Sequence, residues 1–475
     1  MSNRWTGGSI SAFQQLKAPN APSLSASGGI ATAEVTITAP ANAGEGTISS
    51  YVVTAKKSDG STVTATTSSA GGVSIPISPG GTTSFAGQAF SEYGPGEFSG
   101  YGTSAEIYSG GNMYSWSVST YGITAQNNAI VNSSPVQVGA LSTWMSVSLA
   151  YSNNGGAVKT DNSLWIWGDS QLGALGTNSA VSDKSSPIQV GALTSWSNIA
   201  VGTQGSAAVK TDGTIWSWGK NAEGQLGLNL ATITNRSSPV QIGSDTDWSS
   251  VLTSHSGNAR LALTSTGKLY AWGAGGLGLL GQNNTISMSS PVQIGSDTDW
   301  SSIGTGTFTA FAIKTNGTLW SWGRNDAGVL GHNNLINLSS PVQVGADTDW
   351  SAVASSYSNS STRQLTIAVK TDGTIWSWGY NLAFGGLGLG DKINRSSPVQ
   401  IGALTNWLNP SASRERGMAV KTDGTLWSWG YNLSGVLGLN NVTNYSSPVQ
   451  VGAGTNWVQT ALSQNGTAFG IEGVV

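Results

Sequence analysis

Residues 210–219 read KTDGTIWSWG, and the chain keeps returning to that phrase. It comes back as KTDNSLWIWG from Lys159, KTNGTLWSWG from Lys314, KTDGTIWSWG from Lys370 and KTDGTLWSWG from Lys421. Looser copies are STGKLYAWG from Ser265 and SGGNMYSWS from Ser109, which makes seven. Each copy predicts a strand, a tight turn and a second strand: an apolar run such as AAVK leads in, Asp-Gly reverses the chain, and TIWSW leads out. The Asp-Gly pair predicts a type I′ turn, in which both central residues take positive φ. Trp216 and Trp218 are two apart, so they share one face of their strand.

Three further signals keep step with this phrase. An SSP(V/I)Q(V/I)G run places prolines at 135, 187, 239, 291, 341, 398 and 448, spaced 52, 52, 52, 50, 57 and 50. A tryptophan follows each: Trp144, Trp196, Trp248, Trp300, Trp350, Trp407 and Trp457. Between each WSWG and its proline lies a segment such as GQLG from Gly224. Four strands in a period of ~50 residues is the signature of a propeller blade, so seven periods predict seven blades. The C-terminus supplies a tryptophan strand from Trp457 and a partner, GTAFGIEG from Gly466, but no WSWG strand. The missing third and fourth strands sit between Asn112 and Gly139, so one blade is expected to be assembled from both ends of the chain, closing the ring and removing open sheet edges.

The repeat as a whole, W(S/x)xIAxG…AVKTDGTIWSWGxNxxGQLG…SSPVQIG, resembles that of the regulator of chromosome condensation family. This resemblance covers ~370 residues and implies a seven-bladed β-propeller. It is far less specific for activity, because that fold serves an exchange factor for a small GTPase, a plant ultraviolet-B receptor, β-lactamase inhibitors and many phage or bacterial proteins. The charged face and protruding loop element of the exchange factor have no match here, and no residue is carried over from it.

Ahead of the repeats the composition changes. Residues 1–15 form an arm that contains Arg4 and Trp5, the one tryptophan of twenty outside the repeats. An arm of this kind reads either as a disordered tail or as an anchor that becomes ordered on a partner, and the anchor is the reading carried forward. Residues 16–107 carry short alternating runs (AEVTITAP, SSYVVTAKK, STVTATTS, GVSIPIS) with Gly/Pro/Asn punctuation, which predicts a small β-sandwich. The order of features resembles a fibronectin type III module: Pro19 and Pro22 at the entry, TAEVTITAP, a strand with Tyr51, then SFAGQAFSEYGPGEFSGYGTSAEI. Ile37 stands nearest the place of that family's core tryptophan. The propeller is assigned to 108–475, and the fold class is all-β throughout.

Composition narrows the function. Only 9 % of residues are charged, against roughly 25 % in an average domain. The net charge is −3 and no basic run occurs, so phosphate-driven nucleic-acid binding is not expected. There is no cysteine and no apolar run long enough to insert into a membrane, and the opening MSNRWTGGSISAFQQL lacks the apolar core of a secretory leader, so none is expected. The two histidines, His255 and His332, fall in different repeats and read as exposed loop residues. With no GxSxG, P-loop or HExxH motif, no enzyme, cofactor or metal site is expected.

Asp161, Asp212, Asp372 and Asp423 recur at the hairpin turn, where Asn316 substitutes, so they read as turn residues. Asp-Thr-Asp precedes Trp248, Trp300 and Trp350; paired carboxylates suit Ca²⁺, but four repeats lack them, so a turning element is the better reading. The nineteen repeat tryptophans read as packing between blades.

Antiparallel order places the strand 1–2 and 3–4 connections on one face of the ring and the Asp-Gly turns with Asp-Thr-Asp on the other. The 1–2 connections vary most: TSHSGNAR (253–260), GTGTF (304–308), ASSYSNSSTRQL (354–365) and NPSASRERG (409–417). Variable loops on a rigid scaffold are where binding resides, and Tyr and Arg are enriched at hot spots, which selects Tyr357, Arg363, Arg414 and Arg416 as contacts. The leading expectation is a non-enzymatic structural protein of a phage virion (tail, fibre or head decoration). Its arm would bind other virion proteins and its propeller loops a protein or host surface; this is fold-level analogy. The alternative is a soluble protein-binding or inhibitor propeller, cytoplasmic or exported by a non-classical route, with a guanine nucleotide exchange factor ranked below it.

Overall fold

The computed structural model describes residues 21–28, 32–40, 47–57, 62–76, 82–91, 94–98, 103–106, 110–117, 122–128, 130–150, 153–178, 182–230, 234–254, 257–356, 363–463 and 465–474. Arg4, Trp5, Tyr357 and His255 lie outside the described residues. Two compact units are present, one ending in the described residues at 106 and the other beginning at 110.

The first unit has eight strands: β1 Ser23–Gly28, β2 Thr32–Thr38, β3 Ile48–Lys56, β4 Thr62–Thr67, β5 Gly71–Pro76, β6 Thr82–Ser91, β7 Gly94–Phe98 and β8 Thr103–Glu106. One sheet runs β1-β2-β5 and the other β4-β3-β6, with β7 and β8 pairing successive halves of β6. Alternation puts Val35, Ile37 and Ile75 of the first sheet in one core with Tyr51, Val53, Ala55, Phe85 and Ala89 of the second. Ile37 is thus a core residue.

In the second unit the repeat folds as four antiparallel strands. In the blade that begins at Trp196 they are Trp196–Gly202, Gly205–Lys210, Ile215–Gly219 and Arg236–Gln241. Blades 1 to 6 begin at Trp144, Trp196, Trp248, Trp300, Trp350 and Trp407. Five of these stand as separate four-stranded sheets, and an eight-stranded sheet holds blade 1 together with a set built from both ends of the chain. In that closing blade Trp457–Leu462 pairs with Thr467–Val474, which pairs along its whole length with Gly110–Ser117, which in turn pairs with Asn132–Gln137.

The first strands are innermost and bond to one another around the ring. The Thr253 Oγ1 hydroxyl donates to the Val201 carbonyl, Thr305 Oγ1 to Thr253, and Ser413 Oγ to Ser463. Gln459 spans the joint between the last and first blades: its Oε1 accepts from Val147 N at 3.2 Å and its Nε2 donates to Val147 O at 3.4 Å. The fourth strand is outermost, which is why it tolerates the proline of SSPVQ: an edge strand has a side that needs no ladder donor.

The hairpin turn differs from the type I′ expectation. Only Gly213 has positive φ (+78°), while Asp212 does not. Gly213 N bonds to Lys210 O, and Lys210 N bonds to Thr214 O, so the turn is a three-residue loop with its last residue left-handed. Asn162 (φ 60°) fills that place in blade 1. Asp212 acts through its side chain, its Oδ1 accepting from Thr214 N at 2.9 Å and Thr214 Oγ1 at 2.6 Å; Thr214 Oγ1 in turn accepts from Trp216 Nε1. Asp is therefore selected for an Asx turn and Gly for handedness.

The second tryptophan of WSWG locks each blade to the one before it. Trp218 Nε1 donates to Ala174 O, Trp272 to Gln225, Trp322 to Leu279, Trp378 to Val329, Trp429 to Gly386, Trp116 to Val436 and Trp167 to Ile123. All seven acceptors lie in or beside the GQLG-type segment of the preceding blade, and all seven indoles are fully buried. The segment's closing glycine is demanded by the same contact: at Gly227, φ is +71° and a Cβ would stand 2.7 Å from Trp272 Nε1.

Candidate interaction face

Two faces of the propeller carry different chemistry. On the turn face, the lysine that opens each KTDG phrase lies over two indoles. Lys210 Nζ is 3.8 Å from the Trp216 ring centre and 5.1 Å from Trp196; Lys159, Lys314, Lys370 and Lys421 repeat the arrangement. This is a cation–π stack over a ring's negative face. Burial lowers the pKa of Lys159, Lys210 and Lys421, with the nearby turn aspartate opposing.

In blades 4 and 5 the Asp-Thr-Asp segments complete the stack. Lys314 Nζ lies 2.7 Å from Asp297 and 3.1 Å from Asp299; Lys370 lies 2.8 Å from Asp347 and 3.1 Å from Asp349. Burial works against both ammonium groups, but the aspartates outweigh it and hold the two pKa values above the ordinary one. These carboxylates therefore do more than turn the chain, and among the described residues no cluster of His, Cys, Asp or Glu is arranged to hold a metal.

His332 corrects the reading of an exposed loop histidine. It is half-buried, with Nε2 2.9 Å from Ser321 Oγ. Ser321 Oγ itself donates to Leu330 O at 2.8 Å, so the imidazole must be the donor in this contact. A serine whose proton is committed to a carbonyl and whose oxygen accepts from histidine is not an activated nucleophile. Gln126 does the same work in the closing blade, donating from Nε2 to Ser115 Oγ at 3.0 Å.

Burial pushes the His332 imidazole below its ordinary 6.5, with the Ser321 contact opposing. A depressed folded pKa means that the unfolded chain binds the proton first, so this group's stability is intact above pH 6.5 and is lost as the pH falls below it. His332→Gln is expected to leave the melting temperature at pH 7.5 within about 2 °C and to flatten its decline between pH 6.5 and 5, by calorimetry. An unchanged pH slope would remove His332 from this account.

The loop face gathers arginine and aromatic residues over blades 5 and 6. The 409–417 segment, expected as a loop, is two strands, Trp407–Ser413 and Arg416–Lys421, joined by a tight turn at Arg414 and Glu415. Arg414, at φ +23°, is half-buried at the turn tip, and among the described residues it has no ion pair. Glu415 is 2 % exposed and accepts from Arg363 of blade 5 at 3.1 Å, while Arg363 stays 39 % exposed. Burial raises the Glu415 pKa, and Arg363, Arg414 and Arg416 oppose the rise.

Arg416 is not a surface contact. Because it opens the second strand, its side chain turns inward: it is buried, its guanidinium lies 5.2 Å from the Tyr431 ring centre, and its Nε donates to Tyr431 O at 3.2 Å. Burial lowers its pKa to about 10, with Arg414 adding to the effect. Arg416 props the face from beneath.

Sequence reasoning missed several neighbours. Tyr380 and Tyr431 each follow a WSWG strand, and Arg363 lies 6.0 Å from the Tyr380 ring centre. Phe384 of blade 5 packs on Tyr431 of blade 6 with ring centres 4.4 Å apart. Leu382 and Leu433 stand 58 % and 66 % exposed. The available signal was the phrase GYNL, found after WSW in these two adjacent blades, where others have GDSQ, GKNA, GAGG or GRND. Arginine and tyrosine are residue types enriched at protein-binding hot spots, and the exposed leucines beside them add apolar surface.

Comparison with known proteins agrees with this geometry. Residues 112–469 match the family model described as RCC1-like domain. The ultraviolet-B receptor UVR8 of Arabidopsis thaliana is 28 % identical over 350 residues, which cover 70 % of this chain and 76 % of the receptor. The human E3 ubiquitin-protein ligase HERC2 is 26 % identical over 194 residues, 40 % of this chain but only 4 % of the ligase. Among solved structures, Prp20p of Saccharomyces cerevisiae, described with its binding to Gsp1p and histones, superposes with a TM-score of 0.66 at 16 % identity, covering 77 % of this chain and 92 % of that one. Human WBSCR16 gives 0.65 at 17 % identity, covering 77 % and 99 %. At these identities the structural likeness speaks for fold alone.

Proposed function

Because the chain belongs to the RCC1-like domain family, we propose that it is a non-enzymatic protein-interaction propeller that takes its partner on the loop face of blades 5 and 6. The observation that carries the reading is the set of exposed Leu382 and Leu433, part-exposed Arg363 and half-buried Arg414 beside the Phe384–Tyr431 pair, carried on the turns and connections between the strands of blades 5 and 6. The relatives named above include a receptor and a ligase, and Prp20p is described with protein partners, which fits a fold used to present binding surfaces. No virion protein is among these relatives, so the virion reading rests on composition and on the arm, and the soluble binding module is better supported. The sandwich order β1-β2-β5 facing β4-β3-β6 supports a fibronectin-like module as a spacer ahead of the propeller. A light-sensing role has little to stand on, since the nineteen repeat tryptophans occupy repeated packing positions.

The test is a cross-linking capture from the source cells with three full-length baits: wild type, Leu433→Asp with Arg414→Glu, and a turn-face control, Ser296→Arg. Loss of a hot-spot residue costs ~2 kcal/mol or more, about thirtyfold in affinity. A partner retained by wild type and control but lost by the double variant is the expected result; equal recovery by all three baits would refute the placement.

A further inference from the structure

Blade 1, like blades 2 and 6, lacks the aspartates that blades 4 and 5 set against the stacked lysine, and in blade 1 a pocket lies beside that lysine. The segment before its first tryptophan is Ala140-Leu141-Ser142-Thr143, where blade 4 has Ser296-Asp297-Thr298-Asp299, so Leu141 and Thr143 stand in register with the two aspartates that neutralise Lys314. Lys159 is the counterpart of Lys314. It is 6 % exposed, with its Nζ 3.7 Å from the Trp165 ring centre and 4.7 Å from Trp144, and among the described residues no carboxylate lies within ion-pair distance of it. The neighbouring turn carboxylate, Asp161, has its Oδ1 taken by Ser163 N at 2.9 Å and Ser163 Oγ at 2.6 Å.

A pocket of about 270 Å³ opens beside this lysine, between the closing blade and blade 1. Its wall is mostly apolar: Trp144, Trp165, Val138, Leu141 and Pro187, with Lys159 as its one charged group. A buried ammonium without a counter-ion is costly, and an anion placed against it in an apolar, partly dry site interacts more strongly than at an open surface. Blades 4 and 5 show what this framework accepts: a carboxylate oxygen 2.7–3.1 Å from the lysine.

We propose that the pocket at the ring's closing seam binds a small apolar carboxylic acid. Its carboxylate pairs with Lys159 Nζ in place of the missing aspartates, and its hydrocarbon or aromatic body lies against Leu141, Val138 and Pro187. An apolar pocket with one convergent charged group is the usual form of a small-molecule site. The site is separate from the loop face and stands whether or not that face binds protein.

The test is ligand-observed NMR titration of the full chain with 4-phenylbutyrate, and with 4-phenylbutanol and 4-phenylbutylamine as neutral and cationic analogues. The acid is expected to bind at least tenfold more tightly than the alcohol, and the amine not at all. Lys159→Met, which keeps the stem, should remove the preference for the acid. Leu141→Asp with Thr143→Asp rebuilds the segment native to blade 4, so it should fold, fill the lysine's coordination from within and abolish binding of the acid. Equal binding of acid and alcohol, no binding of the acid up to millimolar concentration, or undiminished binding of the acid by the double-aspartate variant would each overturn the proposal.

Discussion

Deleting residues 457–475 is expected to abolish cooperative folding of the propeller. Those residues supply the two inner strands of the closing blade, including Trp457, Leu462, Ala468, Phe469 and Ile471, all buried. Truncating one large buried side chain costs ~2–5 kcal/mol. A domain's whole stability is about 5–15 kcal/mol, so losing the four large ones, Trp457, Leu462, Phe469 and Ile471, is enough to cancel it. The loss is also topological. Gly110–Ser117 would keep Asn132–Gln137 on one side but lose its full-length partner on the other, Gln459 would no longer bridge to Val147, and the bared inner edge would be left open to other chains. The truncated chain is therefore expected to aggregate and to show no sharp melting transition by calorimetry. A transition within 5 °C of the full-length value would mean that the ring does not depend on its termini. Phe469→Ala, which keeps the strand, should cost about 3–5 kcal/mol and leave a measurable transition.

The second large effect belongs to the interblade latch. Trp429 is fully buried, its Nε1 donates to Gly386 O at 3.0 Å in the preceding blade, and its ring meets Trp407 edge-on at 6.3 Å. Trp429→Ala removes the bond and leaves a cavity between two blades, at an expected cost of ~3–5 kcal/mol. Trp427, two residues earlier, is half-exposed and donates to Thr425 within its own turn. Trp427→Ala should cost less than half as much, and urea unfolding of the two variants side by side measures the difference. Equal costs would show that the two tryptophans of WSWG are interchangeable packing and that the latch contributes little.

The ring was legible in the sequence because a blade's strands are set by local periodicity, and repetition multiplies that signal. The closing blade followed from counting strands at the two ends. The latch was not legible, because the Nε1–H of Trp429 meets a carbonyl more than forty residues away in another blade, and nothing local marks the partner. The turn type was misread because Asp-Gly serves two geometries; the Thr or Ser after the left-handed residue (Gly213 or Asn162), which completes the Asx bond with Asp212 or Asp161, was the distinguishing residue.

The candidate interaction face was partly legible. Arg363 and Arg414 came from irregular connections, which repetition makes conspicuous. Arg416 was misplaced because strand alternation was not carried through 409–417, which read as a loop although Arg416 pairs with Ser413 in the ladder. Tyr380 and Tyr431 sit inside the repeat, where a change of residue is easily taken for drift. The lysine stacks were hidden for a related reason: the aspartates of blades 4 and 5 are missing in blades 1, 2 and 6, and what gives Lys159 a different meaning from Lys314 is that absence together with the pocket beside it.

The most direct measurement is hydrogen–deuterium exchange of the full-length chain, alone and saturated with the partner it captures. Added protection confined to peptides covering residues 380–386, 413–416 and 431–435, with the KTDG turns unchanged, is the result this account predicts. Protection centred on the turns at 211–213, 315–317 and 371–373, with the loop face of blades 5 and 6 unchanged, would contradict it.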